Sequence, residues 1–201
     1  VIEVVLASRN KHKAQEIRHI LKGHGIKVLT LDLFPKAPEV KEDKKTIQEN
    51  AIKKAVTLAK FTKKLTIADD SGLEVDFLNG APGVYSARFA GPGCTYNDNN
   101  KKLLRLLEGV FGRNRKARFL CDIAVADKDG LVGIAEGACG GFIAQEIKGR
   151  NGFGYDPVFY VPGYKKTFAQ LKPALKNKIS HRAKALKKSK KIILDYVERC
   201  L

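Results

Sequence analysis

The order of apolar runs predicts an α/β fold, a mixed β-sheet with flanking helices, in two lobes with a cleft between them. Short β-branched runs alternate with helical patterns through the first 68 residues. Asp127-Lys128-Asp129-Gly130 sits between two apolar runs and reads as a hairpin turn. A long amphipathic segment closes the chain. Alternation, then a hairpin, then a terminal helix is the pattern of a mixed sheet covered by helices. The chain has 201 residues, 44% of them hydrophobic, enough for one substantial core. No repeat or long linker divides it, so residues 1–201 read as a single domain.

Ile2–Ala7 is polar only at Glu3 and reads as a buried strand. Ala14, Ile17, Ile20 and Leu21 recur at helical spacing after Lys11, and Gly23 and Gly25 end that helix. Lys27–Leu31 reads as a second strand, and Pro35 and Pro38 mark a loop. Thr46 caps a helix carrying Ile47, Ala51, Ala55, Leu58 and Ala59. Leu65–Ala68 is another short strand. Asp69 to Gly93 is rich in glycine and proline and reads as mostly loops, with a brief strand at Leu73–Leu78. Asn97–Val110 is a helix centred on Leu103, Leu104, Leu106 and Leu107. Ala117–Ala126 and Leu131–Ala135 flank the hairpin turn, Pro157–Val161 is a further strand, and the last helix runs from about Ser180 to Arg199.

The charge narrows the function classes. Thirty-eight Lys and Arg against 21 Asp and Glu give a net charge of +17. Between Lys165 and Lys191 there are eleven basic residues and no acidic one. Such a balance predicts a polyanionic partner: nucleic acid, an anionic membrane or a phosphorylated small molecule. No apolar run approaches the ~20 residues of a membrane span, and the N-terminal run is too short for a signal peptide. A soluble, cytoplasmic protein is therefore expected. Cys94, Cys121, Cys139 and Cys200 form no C-x-x-C pair and read as reduced thiols.

No Gly-Lys-Ser/Thr and no strand-linked G-x-G-x-x-G occurs, so the chemistry must lie in other clusters. Ser8-Arg9-Asn10-Lys11-His12-Lys13 lies at a strand-to-helix turn. Backbone N–H groups, the helix dipole, Ser8, Asn10, Lys11 and Lys13 could together cradle a phosphate there. The same residues also read as an ordinary capped helix with exposed lysines. Asp69-Asp70-Ser71-Gly72 follows an apolar strand, and paired carboxylates in such a place call for a cation or hydrogen-bond donors. Magnesium suits carboxylate and phosphate oxygens best.

Asn151-Gly152-Phe153-Gly154-Tyr155-Asp156-Pro157 offers an aromatic face, flexible glycines and a carboxylate. That set could stack on a base and accept its ring N–H, or it could be a turn with its aromatics in the core. Lys176-Asn177-Lys178-Ile179-Ser180-His181-Arg182 opens the last helix. Cations at His181 and Arg182 oppose the helix dipole and require an anion or a carbonyl-rich ligand.

These four clusters, in this order and spacing, resemble the inosine/xanthosine triphosphate pyrophosphatase family, from about Val4 to Leu186. Ala68-Asp-Asp-Ser-Gly-Leu-Glu-Val-Asp76, Gly80-Ala-Pro-Gly-Val-Tyr-Ser-Ala-Arg88, Gly152-Phe-Gly-Tyr-Asp-Pro157 and Ser180-His-Arg182 carry the likeness. The resemblance implies a two-lobed α/β fold with a central nucleotide-binding cleft, a homodimer and dependence on Mg²⁺. It implies hydrolysis of non-canonical purine nucleoside triphosphates (ITP, dITP, XTP) to the monophosphate and pyrophosphate. By position, Ser8, Asn10 and Lys13 match the phosphate-binding motif, with His12 where many members carry glycine. Glu42 and Asp70 match metal ligands, Asp70 also the general base with Ser71 beside it, and Lys54 a phosphate-contacting lysine. Phe153, Gly154, Tyr155 and Asp156 match the base-binding loop. Lys176, His181 and Arg182 match further nucleotide contacts. Donors such as Arg182, His181 or loop amides would choose 6-oxo purines over adenine.

The partner implied is a small nucleoside triphosphate, with no membrane and no nucleic acid. The rival readings are a nucleic-acid-binding module on the basic 165–191 segment and a pyrophosphatase for another modified nucleotide.

Overall fold

A computed structural model describes residues 1–200. The strands are β1 (Ile2–Leu6), β2 (Ile26–Leu29), β3 (Thr66–Val75), β4 (Pro82–Gly83), β5 (Lys116–Ala126), β6 (Leu131–Ile143), β7 (Phe159–Val161) and β8 (Lys166–Thr167). The helices are α1 (Lys11–Leu21), α2 (Ile47–Thr62), α3 (Tyr96–Leu106), α4 (Pro173–Ile179) and α5 (His181–Arg199). One eight-stranded sheet has the order β2-β1-β3-β5-β6-β7-β8, with β4 paired to β3. β1 runs parallel to β2 and β3, whereas β4 on β3, β7 on β6 and β8 on β7 are antiparallel. The mixed α/β sheet expected from the sequence is therefore present.

The chain forms two compact units. Among the described residues, the first comprises 1–70, 121–137 and 181–200, and the second 71–120 and 138–180. In the first unit, strand alternation sorts the core into two clusters. Val4, Leu6 and Ile67 pack with α1 and α5 through Ile17, Leu21, Leu186 and Ile193. Val5, Ala7 and Ala68 pack with α2 through Ala51, Ala55 and Leu58. The second unit has its own core around Leu103, Leu107, Phe159 and Phe168.

Helix ends follow local sequence. Asn10 caps α1, and Thr46 with Glu49 forms a capping box on α2. His12 fits the α1 turn without strain, its N–H donating to Asn10 Oδ1 at 3.0 Å.

Three expectations change. β3 runs unbroken through Asp69-Asp70-Ser71-Gly72, where a loop was expected, because its acids are buried against cations rather than solvated in a turn. β6 continues to Ile143, past the expected end at Ala135. Gly137 and Gly141 mark close backbone approach, since a Cβ there would lie 2.1 Å from His181 O and 2.4 Å from Tyr160 O respectively. Lys176, expected at the opening of the last helix, lies on the separate short helix α4, while the last helix runs His181–Arg199, within a residue of expectation. The four cysteines are free thiols. Among the described residues, no helix is long and apolar enough to cross a membrane.

Candidate active site

Asp69 and Asp70 are neighbours on β3, so their side chains leave on opposite faces of the sheet. Each meets a different set of cations within the first unit. On the α1/α5 face, Asp69 Oδ2 lies 3.2 Å from Lys13 Nζ and accepts from Arg182 Nε and Nη2, both at 3.1 Å. Arg182 Nη1 also donates to Glu16 at 2.6 Å. Asp69 is 1% exposed. Burial would raise its pKa, but Lys13, Arg182 and Lys54 outweigh it and hold the carboxyl well below the usual range. Burial likewise works against the charge on Arg182, and Asp69 and Glu16 more than restore it.

On the α2 face, Lys54 Nζ donates to Glu42 Oε1 at 2.5 Å and to Asp70 Oδ1 at 3.2 Å. It also donates to the backbone oxygen of Asp69 at 2.8 Å. Burial would lower the Lys54 pKa, but Asp70, Glu42 and Asp69 outweigh it and keep the ammonium charged. Burial would raise Glu42, but Lys54 holds it down. Asp70 is different. Burial, joined by the charges of Glu42 and Asp69, raises its pKa despite Lys54 and Lys13. A buried carboxyl with raised proton affinity suits general acid/base work.

Glu42 and Asp70 already converge on one cationic atom. Their oxygens are the hard donors Mg²⁺ prefers, and that ion commonly takes one or two carboxylates with substrate phosphates completing its shell. Among the described residues, no group of three or more His, Cys, Asp or Glu forms a ready metal cage. The pair could hold such an ion with substrate phosphates completing its shell.

The turn after β1 is tightly organised. Ser8 Oγ accepts from Asn10 N–H at 3.2 Å, and Asn10 Oδ1 accepts from the N–H groups of His12 and Lys13. Asn10 is thus the α1 cap itself, while Lys11 is exposed on the first turn. The first unit holds Ser8, Asn10, Lys11, Lys13, Glu42, Lys54, Asp70, His181 and Arg182. Arg182, at the start of α5, is bonded to the chain's own carboxylates, Asp69 and Glu16. His181 is buried beside it.

The second unit holds Ser71 and the loop from Phe153 to Asp156, with Lys176. Asp156 is buried and Oδ2 accepts from Phe153 N–H at 2.8 Å and from Lys176 Nζ at 2.5 Å. This carboxylate, read from the sequence as an acceptor for a base, staples the loop. Gly152 has φ +76°, and a Cβ there would lie 2.0 Å from Asp156 Oδ2, so only glycine fits. Lys176 Nζ also lies 4.9 Å from the Phe153 ring centroid. Tyr155 is buried, its hydroxyl donating to Ser86 O at 2.9 Å. Phe153 and Gly154 are the half-exposed members of the loop.

Sequence reasoning passed over Asp69 as an anchor, Glu16 beneath Arg182, and Tyr96 and Asn100 against the loop. A signal existed for the last pair: they stand four apart on one helix and so share a face.

Fold and site together define a mixed α/β protein in which buried Lys54 bridges two carboxylates and the first strand-to-helix turn is capped. Comparison with known proteins narrows that class. The model of the Ham1 family matches residues 4–192, and the chain belongs to the Ham1 family. It is 55% identical over 192 residues to the dITP/XTP pyrophosphatase of Desulforamulus reducens, covering 96% of each chain. It is 47% identical to the dITP/XTP pyrophosphatase of Thermoanaerobacter pseudethanolicus, covering 98% of this chain and 99% of that one. Among solved structures, a HAM1 protein from Coxiella burnetii superposes with a TM-score of 0.87 at 41% identity, covering 97% of this chain and all of that one. The Staphylococcus aureus Ham1 protein gives a TM-score of 0.85 at 39% identity, covering 96% and 99%.

Proposed function

We propose that the chain hydrolyses ITP, dITP and XTP to the nucleoside monophosphate and pyrophosphate. The observation that carries this reading is Lys54, which bridges Glu42 and Asp70 through one buried ammonium. The 55% identity to a dITP/XTP pyrophosphatase supports the substrate class.

Mg²⁺ is the metal proposed, held by Glu42 and Asp70; when bound it would neutralise charge on the phosphate oxygens. Asp70 orients the attacking water and takes its proton, the role for which its raised proton affinity suits it. Lys54 and Lys13 stabilise charge developing on the pyrophosphate leaving group. Asp69 positions Lys13, and Arg182 with Glu16 fixes Asp69. Phe153, backed by Lys176, stacks on the purine, and the Asp156 staple keeps the loop in shape for it.

A homodimer and a cytoplasmic setting belong to the same proposal. Phe77 and Phe111 are more than half exposed, which supports a partner surface on the second unit. Nucleic acid is not favoured, because the match to dITP/XTP pyrophosphatases runs over nearly the whole chain, the basic segment included; Lys184, Lys187, Lys188 and Lys191 are read as a solvated face of α5.

The deciding experiment is pyrophosphate release from ITP with and without Mg²⁺, beside GTP, ATP and a pyrimidine triphosphate. Metal-dependent release selective for ITP supports the reading. Equal turnover of all four substrates, or none of ITP, overturns it.

A further inference from the structure

Helix α2 carries Lys54 and begins just after the loop that carries Glu42, and its N-terminal half holds that loop at four consecutive residues. Lys53 Nζ donates to Lys41 O at 2.9 Å and to Asp43 Oδ1 at 2.7 Å. Lys54 Nζ donates to Glu42. Asn50 Oδ1 accepts from the Lys44 N–H at 3.0 Å. The three side chains differ in kind. The Lys53–Asp43 pair is partly solvated and worth little. Lys54 is assigned above to charge on the phosphates. Asn50 is 1% exposed, and its contact uses no charge.

Thr46 is the N-cap of α2, so Asn50 stands at the fourth helical position. An apolar residue there often packs on an apolar residue just before the cap, which fixes the angle at which the chain enters the helix. Here the residue before the cap is the exposed Lys45, and the fourth position is a buried amide. Asn50 sets the entry by a hydrogen bond instead, to the backbone two residues before the cap. Such a bond fixes direction as well as distance. It also carries a desolvation penalty, since Asn50 Nδ2 is buried with no acceptor among the described residues. A leucine would avoid that penalty, so the Lys44 contact is what the asparagine supplies. Glu42 lies two residues upstream, on the backbone that this bond places.

We propose that Asn50 is a positioning residue for Glu42: by holding the Lys44 N–H it sets the backbone from which Glu42 offers its carboxylate, beside that of Asp70, to the metal. Outer contacts that orient a metal ligand commonly tune affinity by about 10–100-fold. The inference rests on the metal reading given above and adds the residue that aligns one of its two ligands.

The probe is Mn²⁺, followed by electron paramagnetic resonance on the full chain with an ITP analogue that carries a methylene between the α and β phosphorus. Wild type, Asn50→Leu, Glu42→Gln and the double variant are compared, with Asn50→Ala replacing Asn50→Leu should that variant fail to fold. Asn50→Leu should weaken Mn²⁺ binding about tenfold, and Glu42→Gln by at least as much. The double variant should bind no more than about twofold more weakly than Glu42→Gln, because two groups that act through one another are not additive. With Mg²⁺ in excess, kcat of Asn50→Leu on ITP should stay within about threefold of wild type, while the Mg²⁺ concentration for half-maximal turnover rises. Unchanged Mn²⁺ affinity in Asn50→Leu overturns the proposal. An equal loss on the wild-type and Glu42→Gln backgrounds also overturns it, since a merely loosened fold gives that result whatever the melting temperature does. If Glu42→Gln binds Mn²⁺ as tightly as wild type, the metal reading of Glu42 fails first and takes the proposal with it.

Discussion

Arg182 grips Asp69 through two bonds to a single carboxylate oxygen, each 3.1 Å long, with both residues almost wholly buried. Removing one partner of a buried pair leaves the other charge uncompensated, which typically costs about 3–5 kcal/mol. Arg182→Met should destabilise the chain by about that much in urea denaturation. Lys13, which shares Asp69, keeps the loss from being larger. A change below about 1 kcal/mol would mean that Asp69 is not held by this contact.

Asp70→Asn keeps the size and the buried position but removes the proton acceptor. The fold should persist by circular dichroism, and turnover of ITP should fall by about 10²–10⁴-fold. Near-normal turnover would remove Asp70 from the mechanism.

Gly152→Ala tests the loop. A Cβ cannot coexist with Asp156 Oδ2 at 2.0 Å, so the Phe153–Asp156 staple must open. KM for ITP should rise by more than about tenfold, since stacking on aromatic rings is worth about 1–3 kcal/mol per base. The first unit, which holds the carboxylates, should keep its stability, so kcat at saturation should fall less than kcat/KM.

Asp122 on β5 predicts a pH effect on stability. Burial, then the charges of Glu136 and Asp70, push its pKa up to about 6. The native state therefore holds this proton more tightly than the unfolded chain does. Its stabilising contribution is full below about pH 4 and is lost as pH rises to about 6. Asp122→Asn should flatten that decline and gain about 1 kcal/mol at pH 7, the full shift being discounted because the side chain is partly solvated. Parallel denaturation curves for wild type and variant from pH 4 to pH 7 would contradict the assignment.

Much of this architecture was legible in the residues. Apolar spacing found α1, α2, α3 and α5 to within a few positions, and Asp127-Lys128-Asp129-Gly130 marked the β5–β6 turn. The misses share a physical origin. Asp69-Asp70 reads from sequence as the start of a loop, not as strand, because the cations that make its burial possible, Lys13, Lys54 and Arg182, lie far away in sequence. Gly137 and Gly141 looked like loop glycines because the backbones pressing on them, at His181 and Tyr160, belong to other elements. At the site, residue types pointed to phosphate, carboxylate and aromatic chemistry. They could not tell which polar groups face outward and which are bonded inward. Asp156, Lys176 and Arg182 are bonded to other groups of the chain, a fact that only three-dimensional proximity discloses.

The Asp69-Asp70 dipeptide joins two tasks at a spacing of one residue. Asp69 fastens α1 and α5 through Lys13 and Arg182, while Asp70 faces Lys54 and Glu42. A strand shifted by a single position would turn each acid to the other face, setting Asp70 under Arg182 and taking it from the α2 side. Substitutions at either acid can be weighed separately, but an insertion or deletion between β1 and Asp70 that β3 absorbs by slipping cannot. Length variation in this lineage should therefore collect in the connections on either side of α2 and spare the strand, because the ruler that aligns its chemistry is the pleat itself.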